Sequence, residues 1–248
     1  MKRLPVNSLL DMTSSLKTRF HRFPAFYEAV QSIRDRRVHS HGVRSGSFAQ
    51  HVEDRHLMEL LRSLGAEGPY VDVGANHPFK LSNTYLLYRL GWRGVCVDPL
   101  PRFKKLYRRW RPDDHFPCTA VGETEGHIEL HQFEWDPLST LDSSLAEQYM
   151  RNGFKRLQRM PVSVRKIDGL LVEAGIKGPV SLLSIDIEGH EVPALKSMNL
   201  DHCQPAVICI EAVTAAGERN EEALQYLLAH RYKVHGDLGL NVVFVRGA

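Results

Sequence analysis

No apolar run in the chain approaches the ~20 residues that a membrane-spanning helix needs. The N-terminus, MKRLPVNSLLDM, also lacks the long apolar centre of a secretory signal, so a cytoplasmic location is expected. Cysteine is scarce. Cys96, Cys118, Cys203 and Cys209 contain no C-x-x-C pair, and three of them fall in expected buried strands, where cysteine behaves as a small hydrophobe. That pattern argues against a disulfide framework or a cysteine metal site. A net charge of +3 is too small for the phosphate-binding footprint of a nucleic-acid partner. Also missing is a second glycine after Gly74. The stretch VDVGANHPFK (71–80) has neither the G-x-G-x-x-G that lets a backbone approach a diphosphate nor the G-K-[ST] of a Walker loop.

The 248 residues that are present suffice for one large α/β domain with a terminal extension. Residues 1–44 form that extension and carry nine Lys or Arg against three Asp or Glu. Leu16, Phe20, Phe23, Tyr27, Val30 and Ile33 recur there at spacings of three and four, which predicts amphipathic helix broken near Pro24. Its basic face is expected to be solvated. Peripheral contact with a membrane surface and binding of a polyanionic substrate are the alternatives.

From residue 45 to residue 248 one domain is expected. Ser47 to Gln50 matches a capping box before an apolar stripe at Val52, Leu57, Leu60, Leu61 and Leu64. Strands are expected at 70–74, 94–98, 116–121, 180–186, 206–211, 232–235 and 241–245, with helices at 101–110 and 219–230. The runs VSLLSID and AVICIEAV are apolar throughout, as in strands buried on both faces of a parallel sheet. Residues 134–166 break the alternation and read as an insertion that covers a site.

In such a sheet the ligand sits beyond the carboxyl ends of the strands, where the strand order reverses. Asp72, Gly74 and Asn76 should border that crevice. Asp98 ends the second strand, where an acid can accept from two ribose hydroxyls. A nucleoside without a diphosphate fits these features, and Asp72 would attract a cationic portion. S-adenosylmethionine has those parts. An NAD-dependent dehydrogenase would need the diphosphate loop that is missing.

The segment VDVGANHPFKLSNTYLLYRLGWRGVCVDPLP resembles the first two strands of the FkbM-type methyltransferases. The likeness continues through RP (111–112), TAVGETEG (119–126), STLD (139–142), LLSIDIEGHEVPALKSM (182–198) and PAVICIE (205–211). SFAQHVEDRHL resembles the segment before the first strand in the subgroup with a GANHPF-type loop. The resemblance implies a Rossmann-like class I methyltransferase fold, with a mostly parallel seven-stranded sheet and helices on both faces. It implies methyl transfer from S-adenosylmethionine, usually to a hydroxyl of a sugar or small polar molecule. By that likeness Asp72, Gly74, Ala75 and Asn76 border the methionine part and Asp98 holds the ribose. Thr119, Ala120 and Val121 lie near the adenine, and Ser82 and Asn83 are further candidates.

O-methylation aligns the acceptor oxygen with the sulfonium methyl and removes a proton. SIDIEGHE offers His190 as general base, oriented by the strand-end carboxylate Asp186, with Glu188 in the same turn. Helix capping is the competing role for His190, and a helix-start charge the competing role for Glu191. Asp186 and Glu211 end neighbouring strands, and buried like charges so close are costly unless a cation or proton is shared. Mg²⁺ held by Asp186 and Glu211 is one reading; hydrogen bonds to sugar hydroxyls or to the cofactor's ammonium group are the other. A non-catalytic module on the same fold, or an RNA methyltransferase using the basic N-terminus, are the alternative functions.

Overall fold

The structure is a computed structural model that describes residues 24–213 and 219–247, with only the backbone for residues 24–30. The chain divides into two units between Ser45 and Gly46. In the first, α1 (Pro24–Ser45) starts at the proline, whose fixed φ and missing N–H suit a first helical turn. The side chains of Leu16, Phe20, Phe23, Tyr27 and Val30 lie outside the described residues. Ile33, also in that stripe, is exposed.

The second unit is built on a six-stranded sheet of order β2-β1-β6-β7-β9-β8. Its strands are β1 (Tyr70–Val73), β2 (Gly94–Val97), β6 (Leu182–Ile185), β7 (Val207–Glu211), β8 (Tyr232–Asp237) and β9 (Asn241–Arg246). The first four run parallel, and the last two complete the sheet antiparallel. The period-2 geometry of strands divides their side chains between two cores. Val71, Val73, Leu183, Ile185, Ile208 and Ile210 meet α6 (Ile167–Glu173), α7 (Glu191–Lys196), α8 (Leu200–Cys203) and α9 (Glu221–Ala229) on one face. Tyr70, Cys96, Leu182, Val207 and Cys209 meet α2 (Glu53–Ser63), α3 (Tyr85–Arg89) and α4 (Phe103–Trp110) on the other. Burial on both faces is what made these strands read as unbroken apolar runs.

The expected seven-stranded sheet is corrected here. Residues 116–121 do not join β2: a single parallel bridge, Val95 to His115, touches that edge before Pro117, which has no N–H to extend a ladder. The chain turns instead into a separate three-stranded sheet of order β3-β5-β4, made by β3 (Ala120–Val121), β4 (Gly126–Phe133) and β5 (Arg156–Arg165). The segment expected as an insertion, 134–166, therefore holds the connection and the second strand of an antiparallel hairpin whose first strand, β4, precedes it. Between its strands lie a short 3-10 turn (Asp136–Leu138) and α5 (Ser143–Arg151), with a small core of Phe133, Leu138, Leu145, Ala146 and Tyr149.

The capping box is also corrected. Helix α2 starts at Glu53, after Val52 in a left-handed conformation (φ 71°). Ser47 donates its hydroxyl to Asp54 at 2.6 Å, and the Phe48 amide donates to the other oxygen at 2.7 Å. The carboxylate thus fixes the entry to the helix from inside. Among the described residues no helix is long and apolar enough to cross a membrane.

Candidate active site

Strand β1 lies between β2 and β6, so the order reverses at its carboxyl end, where an open α/β sheet forms a crevice. Gly74 leaves β1 at φ 79°, and a Cβ there would lie 1.8 Å from the backbone oxygen of Asp186. Only glycine permits both the left-handed turn and this approach of the β6 end. The amides of Gly74 and Ala75 both reach the Val97 carbonyl at 3.0 Å, which pins the loop to β2. Asn76 follows at φ 46°, a conformation asparagine tolerates better than most residues.

Asp98 receives the Asn76 amide on one oxygen (3.0 Å) and the Leu100 amide on the other (2.8 Å). Each oxygen keeps a lone pair for a further donor. Burial pushes this carboxyl up to about 6, and the two amides oppose the rise.

One cleft joins these residues. Gly74, Asn76, Asn83, Asp98, Thr119, Ala120 and Val121 line it, together with Asp186, Glu188 and Glu211. Its cavity volume is about 200 Å³, and its mouth opens to solvent. The hairpin sheet supplies Trp135, Asp136, Pro137 and Ser139 to the wall, and Arg102 at the start of α4 pairs with Asp136.

Three carboxylates converge at the ends of β6 and β7: one oxygen from each of Asp186, Glu188 and Glu211 lies within 4.8 Å of the other two. Glu188 holds a left-handed backbone (φ 51°). Thr140 donates to its carbonyl at 2.7 Å and Tyr149 donates to its carboxylate, so the insertion sets its direction. Burial raises all three carboxyls. Mutual repulsion adds to the rise in Glu188 and Glu211, and an Asp186–Glu211 hydrogen bond favours the proton on Glu211. Asp186 keeps surface open to the cleft, where water screens part of that repulsion.

Four expected site residues stand elsewhere. Asp72 does not line the cleft; it accepts from Thr84 and faces the fully buried Arg111 guanidinium, so its charge is answered from inside the fold. Ala75 packs in the core, and its carbonyl accepts from Tyr107 at 3.2 Å. Ser82 accepts the Tyr85 amide at 3.1 Å and serves the turn into α3. His190 precedes α7 and is absent from the cleft wall; a Cβ on Gly122 would lie 3.4 Å from its Nε2. Burial lowers its imidazole, while nearby Asp142 opposes this. Thr119 borders the cleft but donates its hydroxyl to the Ser163 carbonyl at 2.7 Å. Glu191 is buried and accepts the Gly189 amide (2.9 Å) and the Asn220 side chain (3.0 Å), a structural role.

Among the wall residues that escaped sequence reasoning are two buried polar side chains, Glu53 and Asn241. Glu53 is 2% exposed; its Oε2 accepts the His51 amide, and its Oε1, with no hydrogen bond, lies 3.4 Å from His51 Nδ1. Asn241 is 8% exposed, and its Oδ1 has no hydrogen-bond partner. A carboxylate in the first turn of a helix reads as an answer to the macrodipole, which hid Glu53. Nothing in LGLNVVF signalled Asn241.

The Methyltransferase FkbM domain profile matches residues 72–234, which is most of the chain. No curated protein matches it in sequence. Among solved structures, the chain is similar to a TehB-like SAM-dependent methyltransferase from Corynebacterium glutamicum, at 13% identity and a TM-score of 0.44, covering 90% of this chain and 99% of that one. It is also similar to the 1,6-didemethyltoxoflavin-N1-methyltransferase of Burkholderia thailandensis, solved with 1,6-didemethyltoxoflavin and S-adenosylhomocysteine, at 12% identity and a TM-score of 0.41, covering 100% and 92%. By the extent of the profile match, from the first strand through the last sheet crossover, this chain belongs to the FkbM methyltransferase family.

Proposed function

We infer that the protein transfers a methyl group from S-adenosylmethionine to a hydroxyl of a sugar or related small polar metabolite. The observation that carries this is a single cleft lined at one part by Gly74, Asn76 and Asp98 and at another by Asp186, Glu188 and Glu211. The first group suits a nucleoside without a diphosphate: Asp98 retains lone pairs for two ribose hydroxyls, and the loop beyond Gly74 leaves no glycine space for phosphates. The second supplies acceptors for the acceptor's hydroxyl protons. Displacement at the sulfonium methyl needs alignment first and a proton sink second. Carboxylates on the cleft wall fill that second role in place of His190, which stands off the wall. Mg²⁺ at Asp186 and Glu211 belongs to the same reading, since a cation there would acidify a bound hydroxyl.

Calorimetry with S-adenosylmethionine, S-adenosylhomocysteine and NADH, on wild type and Asp98→Ala, tests the cofactor. Micromolar binding of the two adenosyl ligands alone, lost in the variant, is expected. NADH binding would replace the reading with a dehydrogenase. A folded sample that binds none of the three would favour a non-catalytic module.

A further inference from the structure

We propose that Asp186, Glu188 and Glu211, joined by the amide oxygen of Asn241, form a seat for one divalent cation of the Mg²⁺, Mn²⁺ and Ca²⁺ class. The inference extends the transferase reading and rests on it only for what the ion does to an acceptor.

The first argument is distance. Oxygens on opposite sides of an ion stand at most twice the metal–oxygen distance apart, about 4.2 Å for Mg²⁺ and about 5 Å for Ca²⁺. The three carboxylates present oxygens within 4.8 Å of one another, so one ion reaches all three with little movement.

The second is charge. The ion pairs among the described residues include none of the three carboxylates. Apart from the bond they share with each other, Asp186 and Glu211 receive no hydrogen bond from an amide, a hydroxyl or a cationic donor among the described residues, and Glu188 receives one, from Tyr149. Three converging carboxylates with so few donors call for a cation.

The third is independent of the acids. Asn241 stands opposite Glu211 in the β7–β9 ladder. Its side chain lines the cleft, is 8% exposed, and leaves Oδ1 without a hydrogen-bond partner. A buried amide oxygen left unpaired costs roughly 1–3 kcal/mol unless a ligand answers it. Carboxylates and an amide carbonyl are all hard oxygen donors, the set that Mg²⁺ and Ca²⁺ take and that soft metals do not. Remaining positions fall to water and to acceptor hydroxyls from the open side of the cleft. An ion there would hold two acceptor oxygens and acidify the one to be methylated.

The test uses the full chain without cofactor. Mn²⁺ is titrated in and its free concentration read by electron paramagnetic resonance, with Mg²⁺ and Ca²⁺ as competitors. One saturable site that both ions displace is expected, weakened tenfold or more in Glu211→Gln and in Asn241→Leu. Circular dichroism checks that each variant is folded, and Asp186→Asn replaces any that is not. Absence of a saturable site in wild type, or unchanged Mn²⁺ affinity in the folded variants, overturns the proposal. S-adenosylhomocysteine binding in the same samples separates the two readings. If it persists with no Mn²⁺ site, the cation falls and the transferase stands; if Mn²⁺ binds where the nucleoside does not, the cation stands and the transferase falls.

Discussion

A β-carbon placed on Gly74 would sit 1.8 Å from the carbonyl oxygen of Asp186, so the turn that opens the cofactor side of the cleft and the carboxylate that ends β6 are in backbone contact. The oxygen belongs to main chain that is itself held by the bond from the Asp186 amide to the Val73 carbonyl at 3.0 Å, and it cannot rotate away. Gly74→Ala should therefore cost on the order of 3 kcal/mol, from the left-handed φ and from the clash together. Urea denaturation followed by circular dichroism reads the cost. A loss under about 0.5 kcal/mol, the range of an ordinary surface change, would show that the two strand ends are not packed as described.

Asp98 predicts a pH dependence with a definite sign. Its folded carboxyl is raised to about 6, above the unfolded value of about 3.9. Between these values the unfolded chain has released the proton that the folded chain keeps, so this group makes stability fall as pH rises from about 4 to about 6. Asp98→Asn removes that slope, and denaturation midpoints of the two proteins at pH 5 and pH 7.5 should diverge accordingly. Ribose recognition runs the other way, because two hydroxyl donors prefer the ionised acid. S-adenosylhomocysteine should bind wild type more tightly at pH 7.5 than at pH 5, and equal affinity at both would remove Asp98 from the ribose.

Much of this was legible before any coordinates. The doubly buried strands β1, β2, β6 and β7 announced themselves as apolar runs, and their ends placed Gly74, Asp98, Asp186 and Glu211 on one crevice. What escaped was governed by pairing across the chain. The alternation in GHIELHQF was a strand signal passed over because its partner, RLQRMPVSVR, is rich in polar residues and lies 30 residues away. Asp72 looked like a cleft residue from its position in β1; it belongs to Arg111, thirty-nine residues on, through Thr84. His190 read as a base by its neighbours in sequence, yet the turn at Glu188 and Gly189 carries it off the wall.

Arg111 gives the next expectation. It is fully buried, bonds Asp114 at 2.6 Å, Tyr70 at 2.9 Å, Thr84 at 3.0 Å and the Pro78 carbonyl at 3.3 Å, and sits among four tyrosine rings. Lysine cannot span that fork, so Arg111→Lys should leave buried Asp72 and Asp114 poorly compensated and cost about 3–5 kcal/mol. A melting temperature within two or three degrees of wild type, allowing about 2–4 °C per kcal/mol for a chain this size, would contradict it.

For turnover, His190 and Asp186 should separate. With an acceptor in hand, His190→Gln is expected to keep kcat within a few fold, since its ring is not on the cleft wall. Asp186→Asn should lower it about 10²–10⁴-fold, the usual worth of a positioned proton acceptor. Measured release of S-adenosylhomocysteine decides between them, and the reverse order would restore the imidazole to the chemistry.

The single bridge from His115 to Val95 has a meaning beyond strand counting. β2 is the outer strand of the sheet, four apolar or small residues long, and its free side would be a template for any other extended chain. The Cys96 amide is occupied by the His115 carbonyl, the Gly94 carbonyl by the His115 amide, and the Gly94 amide by Asp114, after which Pro117 ends the pairing. The segment works as a cover strip that stops one residue short of becoming a strand. It closes the edge to intermolecular pairing, and leaves the hairpin free to face the cleft.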